Sequence, residues 1–209
     1  MEFIPAKHYR KGRKSDVDTI VIHYFSVVSI DKANPFNLPL IKDWLTNGVP
    51  DNGNLIKVST HYLIGRDGEV IQFVNDNDTA WHAGTSNLKG RAINNSCNDF
   101  SIGIELAGGQ WISFTEKQYE ALIGLTKDII TRHPKITKET IVGHEEIASG
   151  RKTDPGKLFD WVKYFNGVFN ENQLLPEKPA PLSFKVSNIT SGQDISFIEK
   201  LKNLLKRIF

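Results

Sequence analysis

The segment from Asp16 to Phe25 constrains the fold of this chain more than any other stretch. Its sequence, Asp-Val-Asp-Thr-Ile-Val-Ile-His-Tyr-Phe, is β-branched and almost wholly apolar through its middle. A short continuous apolar run of this kind is typical of a central strand that is buried on both faces. We therefore predict a buried strand that ends at His23.

Other local patterns predict the elements around this strand. Asp67-Gly68 marks a tight reversal between two strand-like runs, residues 58–64 and 69–74, which predicts a β-hairpin. Thr115 and Gln118 form a capping-box pattern in front of an apolar helical repeat. The remaining predicted elements are a helix over residues 38–46, a turn over residues 51–54, a polar loop over residues 75–99, a strand over residues 101–106, a short strand over residues 140–144 that ends at His144, and a closing helix over residues 158–169. This order predicts an α/β (α+β) fold, a single domain with a central mixed β-sheet flanked by helices.

The C-terminal part of the chain is predicted to be separate from this domain. Residues 1–172 are assigned to the domain, residues 173–190 to a proline-containing linker, and residues 191–209 to an amphipathic basic helix. The apolar face of that helix would consist of Phe197, Ile198, Leu201, Leu204, Leu205 and Ile208. Packing of this helix on its own domain is slightly favoured, and contact with an anionic membrane surface stays open.

Charge, cysteine content and the first residues limit the classes of protein to consider. The formal net charge of the 209 residues is +2, which is too small to indicate a nucleic-acid partner. Cys97 is the single cysteine and cannot form an internal disulfide. The first ten residues contain charges and Pro5 where a secretory signal needs an apolar core, so a cytoplasmic location is expected. The sequence leaves the oligomeric state unknown.

Two histidines and one aspartate are candidates for a metal site. His23 and His144 each end a predicted strand, and Asp154 follows in a Lys-Thr-Asp-Pro-Gly turn. A catalytic zinc site needs three such protein ligands and one open position for water. Because core histidines are often hydrogen-bonded structural residues, this spacing alone does not identify a metal site.

A more specific signal comes from four segments read together. In chain order they are Val21-Ile22-His23, Ala80-Trp81-His82-Ala83-Gly84, Cys97-Asn98-Asp99-Phe100-Ser101-Ile102-Gly103-Ile104-Glu105-Leu106, and Gly143-His144-Glu145-Glu146-Ile147-Ala148 with Arg151-Lys152-Thr153-Asp154-Pro155-Gly156. This set resembles the type 2 N-acetylmuramoyl-L-alanine amidases, especially their AmpD branch, to which the peptidoglycan recognition proteins are related. The resemblance covers residues 17–161 and leaves the C-terminal part unassigned.

The resemblance implies one zinc ion per chain and a role for each matching residue. His23, His144 and Asp154 would be the zinc ligands, Glu105 the catalytic base and Lys152 the cation that stabilises the oxyanion. Trp81 and His82 would line the groove for the sugar and peptide. Some relatives use a cysteine as the third ligand, but Asp154 holds that position here, so Cys97 is expected to be a small buried residue.

The implied activity is hydrolysis of the amide bond between N-acetylmuramic acid, or its 1,6-anhydro form, and L-alanine. The favoured role is a cytoplasmic enzyme of cell-wall recycling, and the alternative is a phage or exported lytic amidase that acts on intact wall. A non-catalytic muropeptide-binding module ranks lower, because recognition members usually lack a metal ligand whereas all three are present here. His61 is expected to be structural, and His8 and His133 to be surface residues.

Overall fold

The computed structural model describes residues 1–169 of the chain. The predicted linker, residues 173–190, and the predicted C-terminal helix, residues 191–209, lie outside the described residues. The strands are β1 (Glu2–Phe3), β2 (Tyr9–Arg10), β3 (Thr19–Phe25), β4 (Val49–Asp51), β5 (Asn54–Ile56), β6 (Tyr62–Ile64), β7 (Val70–Gln72), β8 (Thr79–Ala80), β9 (Ser101–Ala107) and β10 (Ile141–Gly143). The α-helices are α1 (Leu38–Asn47), α2 (Glu116–Arg132), α3 (His144–Ile147) and α4 (Trp161–Phe169).

The main sheet has the strand order β1-β7-β6-β9-β3-β10. β3 pairs in parallel with β9 and with β10, and β9 also pairs in parallel with β6. β6 and β7 are antiparallel, as the predicted hairpin requires. The predicted fold class, a central mixed sheet flanked by helices, is confirmed.

The two faces of β3 and β9 are covered by different parts of the chain. On one face Ile20, Ile22 and Ile104 pack in a cluster with apolar residues of α2 and α4. On the other face Val21 packs in a second cluster with residues of the 83–100 region and of α3. Because side chains alternate along a strand, His23 points to the same face as Val21. The candidate metal site therefore lies on the side of the sheet opposite to α2 and α4.

Several helix boundaries follow from capping. Thr115 caps α2, and its side-chain hydroxyl accepts the backbone N–H of Gln118 in the predicted capping box. The closing helix was predicted from residue 158, but α4 begins at Trp161. Asp160 explains this later start, because its carboxylate accepts the Lys163 backbone N–H at 2.9 Å and so caps the helix.

Of three other predictions about local structure, the turn at residues 51–54 is confirmed and two need correction. β3 does not end at His23 but continues to Phe25, where it still pairs with β9. The predicted turn at residues 51–54 is the reversal of a small hairpin, β4 with β5. His144 does not end a strand, because β10 stops at Gly143 and His144 is the first residue of α3. A strand of three residues shows too little alternation of apolar and polar residues for its last residue to be predicted from the sequence.

The polar loop predicted at residues 75–99 is tied to the N-terminal segment. Asp78 accepts hydrogen bonds from Lys11 Nζ and the Gly12 backbone N–H, and Asp99 pairs with Arg10. The strand pair β2–β8 adds backbone hydrogen bonds between the same two segments. These contacts hold the loop against the sheet beside His23.

Within residues 1–169, no helix combines the length and the apolar character that crossing a membrane requires.

Candidate metal centre and active site

His23, His144 and Asp154 come together from three separate elements. His23 Nδ1 lies 3.0 Å from His144 Nδ1 and 2.9 Å from Asp154 Oδ2, and His144 Nδ1 lies 3.0 Å from that same oxygen. Backbone contacts explain why Asp154 reaches the histidines. Its carbonyl oxygen accepts the N–H of Glu145 in the first turn of α3, at 2.9 Å.

Gly143 allows this close approach of the aspartate turn to the end of β10. A Cβ atom at residue 143 would lie 2.8 Å from Pro155 Cδ and would push the turn away. The glycine before His144 is therefore required by packing.

The spacing of the three ligand atoms fits a metal ion. Zinc bonds to nitrogen and oxygen are about 2.0–2.2 Å long, so the ligand atoms of a tetrahedral site are roughly 3.3 Å apart. The separations of 2.9–3.0 Å lie within a few tenths of an ångström of that value. All three residues are buried. Two imidazole nitrogens and one carboxylate oxygen are a donor set that divalent zinc accepts.

The electrostatics of His23 and Asp154 favour the forms that bind a metal. Burial lowers the pKa of His23 to about 4, although the neighbouring Asp154 raises it in part, so this ring is neutral at pH 7. Burial alone would raise the pKa of Asp154, but the close contacts of its carboxylate with the His144 and His23 imidazoles outweigh it, and the net pKa lies well below the ordinary range. Metal ligation needs neutral imidazole and ionised carboxylate, and the shifted pKa values of His23 and Asp154 favour these forms.

Glu105 lies beside this cluster on β9, where it is paired with His23 of β3. Only 7% of the residue is exposed. Within residues 1–169, Glu105 Oε2 is the one buried side-chain nitrogen or oxygen that has no hydrogen-bond partner. Burial raises the pKa of Glu105 well above its usual range; Asp154 raises it further and Lys152 lowers it. A carboxyl group with these properties suits proton transfer at neutral pH.

A cavity of about 360 Å³ opens onto the three candidate ligands, His23, His144 and Asp154, and onto Glu105. Lys152 and Trp81, both predicted site residues, also line it. Lys152 is exposed, and Trp81 is half-buried with its indole stacked on the His8 ring at a centroid distance of 6.4 Å. The cavity is thus lined by the three candidate metal ligands, the Glu105 carboxyl group, the Lys152 ammonium group and the Trp81 indole.

His82 also lines the cavity, but both of its ring nitrogens contact protein atoms. Its Nδ1 lies 3.0 Å from His23 Nε2, and its Nε2 lies 3.2 Å from Ser101 Oγ. Burial lowers the pKa of His82 well below its ordinary value, and the nearby His23 lowers it further. The predicted contact between His82 and the substrate stays a prediction, and a hydrogen bond to substrate would compete with these protein partners.

Arg151 is a cavity residue that the sequence analysis did not assign to the site. Its guanidinium donates to the carbonyl oxygens of Ala83 at 2.8 Å and Thr85 at 2.6 Å. It lies against Gly84, which has a φ of +55°. The signal in the sequence was its position, because Arg151 opens the same motif segment that contains Lys152 and Asp154.

The remaining histidines and Cys97 lie outside the ligand cluster. Cys97 is fully buried in an apolar cluster with Val21, as expected for a small core residue. His61 is also buried, and its Nδ1 accepts the Gly103 backbone N–H at 3.0 Å. His8 and His133, expected to be surface residues, are both partly exposed; His8 contacts the Asn47 carbonyl and His133 contacts Asp76.

Comparison with known proteins agrees with this geometry. The family described as N-acetylmuramoyl-L-alanine amidase matches residues 13–157. The 1,6-anhydro-N-acetylmuramyl-L-alanine amidase AmpD of Haemophilus influenzae is 40% identical over 173 residues, which cover 79% of this chain and 90% of that protein. A crystal structure of AmpD superposes with a TM-score of 0.71 at 38% identity, covering 80% of this chain and 93% of the other. The Escherichia coli amidase AmiD, solved in complex with anhydro-N-acetylmuramic acid-L-Ala-D-γ-Glu-L-Lys, has a TM-score of 0.59 at 31% identity and covers 76% of this chain and 60% of its own.

Proposed function

The chain belongs to the N-acetylmuramoyl-L-alanine amidase family, and we propose that it is a zinc-dependent amidase of cell-wall recycling. Its substrate is a muropeptide, and the bond cleaved is the amide between 1,6-anhydro-N-acetylmuramic acid and L-alanine. The observation that carries this proposal is the convergence of His23, His144 and Asp154 within 3.0 Å of one another, next to a buried Glu105.

His23, His144 and Asp154 would hold the zinc ion. When bound there, zinc acts as a Lewis acid on the amide carbonyl and lowers the pKa of water from 15.7 towards about 7. These three residues would supply the protein ligands of a catalytic zinc site, which also needs one position for water.

Glu105 moves the proton in this mechanism. Its carboxylate removes a proton from the attacking water while the water oxygen forms a bond to the amide carbon. The same carboxyl group then returns that proton to the L-alanine nitrogen as the carbon–nitrogen bond breaks. The products are the lactyl carboxylate of the sugar and a peptide with a free amino group. The raised pKa of the buried Glu105 supports this role, because a carboxyl group with a raised pKa takes up a proton from water more readily and can hold it until it passes to the leaving nitrogen.

Lys152 stabilises the negative charge on the former carbonyl oxygen. Two observations support this role: Lys152 lines the same cavity as Glu105, and its positive charge lowers the pKa of that carboxyl group. A positioned cation or hydrogen-bond donor at an oxyanion is typically worth about 10²–10³ in rate. Trp81, on the cavity wall, offers an apolar face for the sugar ring or the peptide.

The recycling role rests on the substrates of the relatives. AmpD of Haemophilus influenzae is named for the 1,6-anhydro substrate, and AmiD was solved with an anhydro-muropeptide. The match covers 90% of the length of that AmpD, so nearly the whole relative aligns with this chain. Soluble anhydro-muropeptides as substrate fit a cytoplasmic enzyme of recycling rather than a lytic enzyme.

Parallel digestion of two substrates tests the proposal. The zinc-loaded protein is incubated with a 1,6-anhydro-muropeptide and with purified sacculi, and the released peptides are identified by mass spectrometry. The proposal expects a peptide with a free L-alanine amino group from the anhydro-muropeptide and little release from sacculi. Release mainly from sacculi would replace the recycling role with a lytic one. A zinc-loaded protein that releases peptide from neither substrate would overturn the amidase assignment.

A further inference from the structure

Two consecutive residues, His82 and Ala83, contact the outer ring nitrogens of both ligand histidines. His23 Nε2 lies 3.0 Å from His82 Nδ1, and His144 Nε2 lies 3.0 Å from the Ala83 carbonyl oxygen. In each ligand histidine the other nitrogen, Nδ1, faces Asp154. The dipeptide His82–Ala83 therefore supplies the hydrogen-bond partners of the Nε2 atoms of both His23 and His144.

The contact with Ala83 assigns the proton on His144. A carbonyl oxygen can only accept a hydrogen bond, so the hydrogen in this contact belongs to His144 Nε2. The Nδ1 atom of the neutral ring then presents a lone pair to the ligand cluster. Arg151 Nη2 lies 3.4 Å from His144 Nε2, but its two hydrogens are directed to the carbonyl oxygens of Ala83, at 2.8 Å, and Thr85, at 2.6 Å, so this contact is consistent with a hydrogen on Nε2.

A chain of three hydrogen bonds assigns the proton on His23. It ends at the Cys97 carbonyl oxygen, which accepts from the Ser101 hydroxyl at 2.7 Å. Because the hydroxyl hydrogen is used there, Ser101 Oγ accepts from His82 Nε2 at 3.2 Å. A neutral His82 with its hydrogen on Nε2 has a lone pair on Nδ1, so that atom accepts from His23 Nε2. His23 Nδ1 is then also free to bind a cation.

Two further residues hold the dipeptide in place. Asn98 Oδ1 accepts the backbone N–H groups of both His82, at 3.2 Å, and Ala83, at 2.8 Å. Gly103, in the middle of β9, leaves space for the imidazole, since a Cβ atom there would overlap the His82 ring. Neither residue reaches the metal ligands itself, so each acts through the dipeptide.

We propose that the dipeptide His82–Ala83, held by Asn98, is a positioning element that keeps the proton of both ligand histidines on Nε2 before metal binds. The inference rests on the zinc site of the proposed function but not on the amidase reaction. Outer partners of metal-ligating histidines fix ring orientation and tautomer, and their loss typically lowers metal affinity about 10–100-fold.

Two matched pairs of variants test the positioning role. His82→Asn keeps an acceptor close to the position of the imidazole Nδ1, whereas His82→Leu has the same branching and no acceptor. Asn98→Asp keeps the acceptor for both N–H groups, and Asn98→Leu removes it. The zinc dissociation constant is measured by competition with a chromophoric chelator. We expect it to rise about 10–100-fold in both leucine variants and to stay within a few-fold of wild type in His82→Asn and Asn98→Asp. Wild-type affinity in both leucine variants would overturn the inference.

A measurement on the unchanged protein covers the case in which a leucine variant does not fold. Long-range ¹H–¹⁵N correlation spectra of the zinc-free wild type report which nitrogen of each imidazole carries the hydrogen. The inference expects the Nε2–H tautomer for both His23 and His144, and an Nδ1–H tautomer at either would contradict it.

The outcomes also separate this inference from the proposed function. A wild-type protein that binds no zinc would refute the zinc site itself. A wild type that binds zinc and hydrolyses muropeptide, next to leucine variants of undiminished zinc affinity, would refute the positioning role alone.

Discussion

Glu105 lies directly opposite His23 across the parallel pair of β3 and β9. Paired residues of adjacent strands point to the same face of a sheet, so this register puts the carboxyl group beside the first metal ligand. The distance between Glu105 and His23 is therefore set by strand pairing and does not depend on a flexible loop. Each role proposed above for these residues makes a measurable prediction.

Replacing Glu105 with Gln should abolish most of the turnover and leave the metal in place. Glutamine has nearly the same size and cannot take a proton from water, so kcat should fall by about 10²–10⁴-fold. Steady-state kinetics on an anhydro-muropeptide, together with zinc content by mass spectrometry, measure both effects. A Glu105→Gln enzyme with the wild-type rate would remove this residue from the mechanism.

Replacing His144 with Ala should abolish both zinc binding and turnover. The change removes one of three protein ligands and leaves two. His133→Ala is the matched control, because His133 is a partly buried histidine that contacts Asp76 away from the cluster. We expect about one zinc ion per chain in the control and a small residual fraction in His144→Ala. Equal zinc content in the two variants would contradict the assignment of His144.

Replacing Lys152 with Met should lower kcat by about 10²–10³-fold, because the change removes the ammonium group proposed to stabilise the oxyanion. Zinc content should not change, since Lys152 is not a ligand. Lys157→Met provides the control, as Lys157 is an exposed lysine of the same segment and does not line the cavity. If the two methionine variants have the same kcat, Lys152 does not stabilise the oxyanion.

The ion pair of Asp99 and Arg10 should make the stability of the protein depend on pH. Burial alone would raise the pKa of Asp99, but the hydrogen bond from Arg10 and that from the Lys14 backbone outweigh it, so the folded-state pKa is lowered. A lowered carboxyl pKa stabilises the folded state above the unfolded value of about 3.9, and this stabilisation is lost as the pH falls through the folded value. Asp99→Asn should therefore lower the free energy of unfolding by about 1–3 kcal/mol at pH 7.

Urea unfolding of wild type and Asp99→Asn at pH 7, 4 and 3 measures this effect. The difference between the two proteins should shrink from pH 4 to pH 3. A difference that is the same at all three values would mean that the charge of Asp99 does not contribute.

The sequence predicted those elements whose signals are local. The apolar run around Ile20 to Ile22 and the capping box at Thr115 each lie within a few residues, and both predictions agree with the structure. The small hairpin of β4 and β5 was identified only as a turn, because its strands are three residues long and β5 is fully exposed. Such strands have no buried face and therefore no alternation of apolar and polar residues to detect.

The candidate site was accessible from the sequence only in part. The motif match named His23, Glu105, His144, Lys152 and Asp154, and the structure brings these five around one cavity. The contacts of His82 were not predictable, because they depend on space above Gly103 and on Ser101, both of which are set by how β9 pairs with β3. Long-range packing of this kind leaves no periodic pattern in the sequence.

Zinc titration of the metal-free enzyme tests the central claim most directly. Chelator-treated protein is supplied with increasing zinc, and hydrolysis of a 1,6-anhydro-muropeptide is followed at each step. The account predicts no turnover without metal, a linear rise, and a plateau at about one zinc ion per chain, with no recovery in Asp154→Ala at the same zinc concentrations. Full turnover in the metal-free protein, or a plateau reached equally by Asp154→Ala, would contradict it.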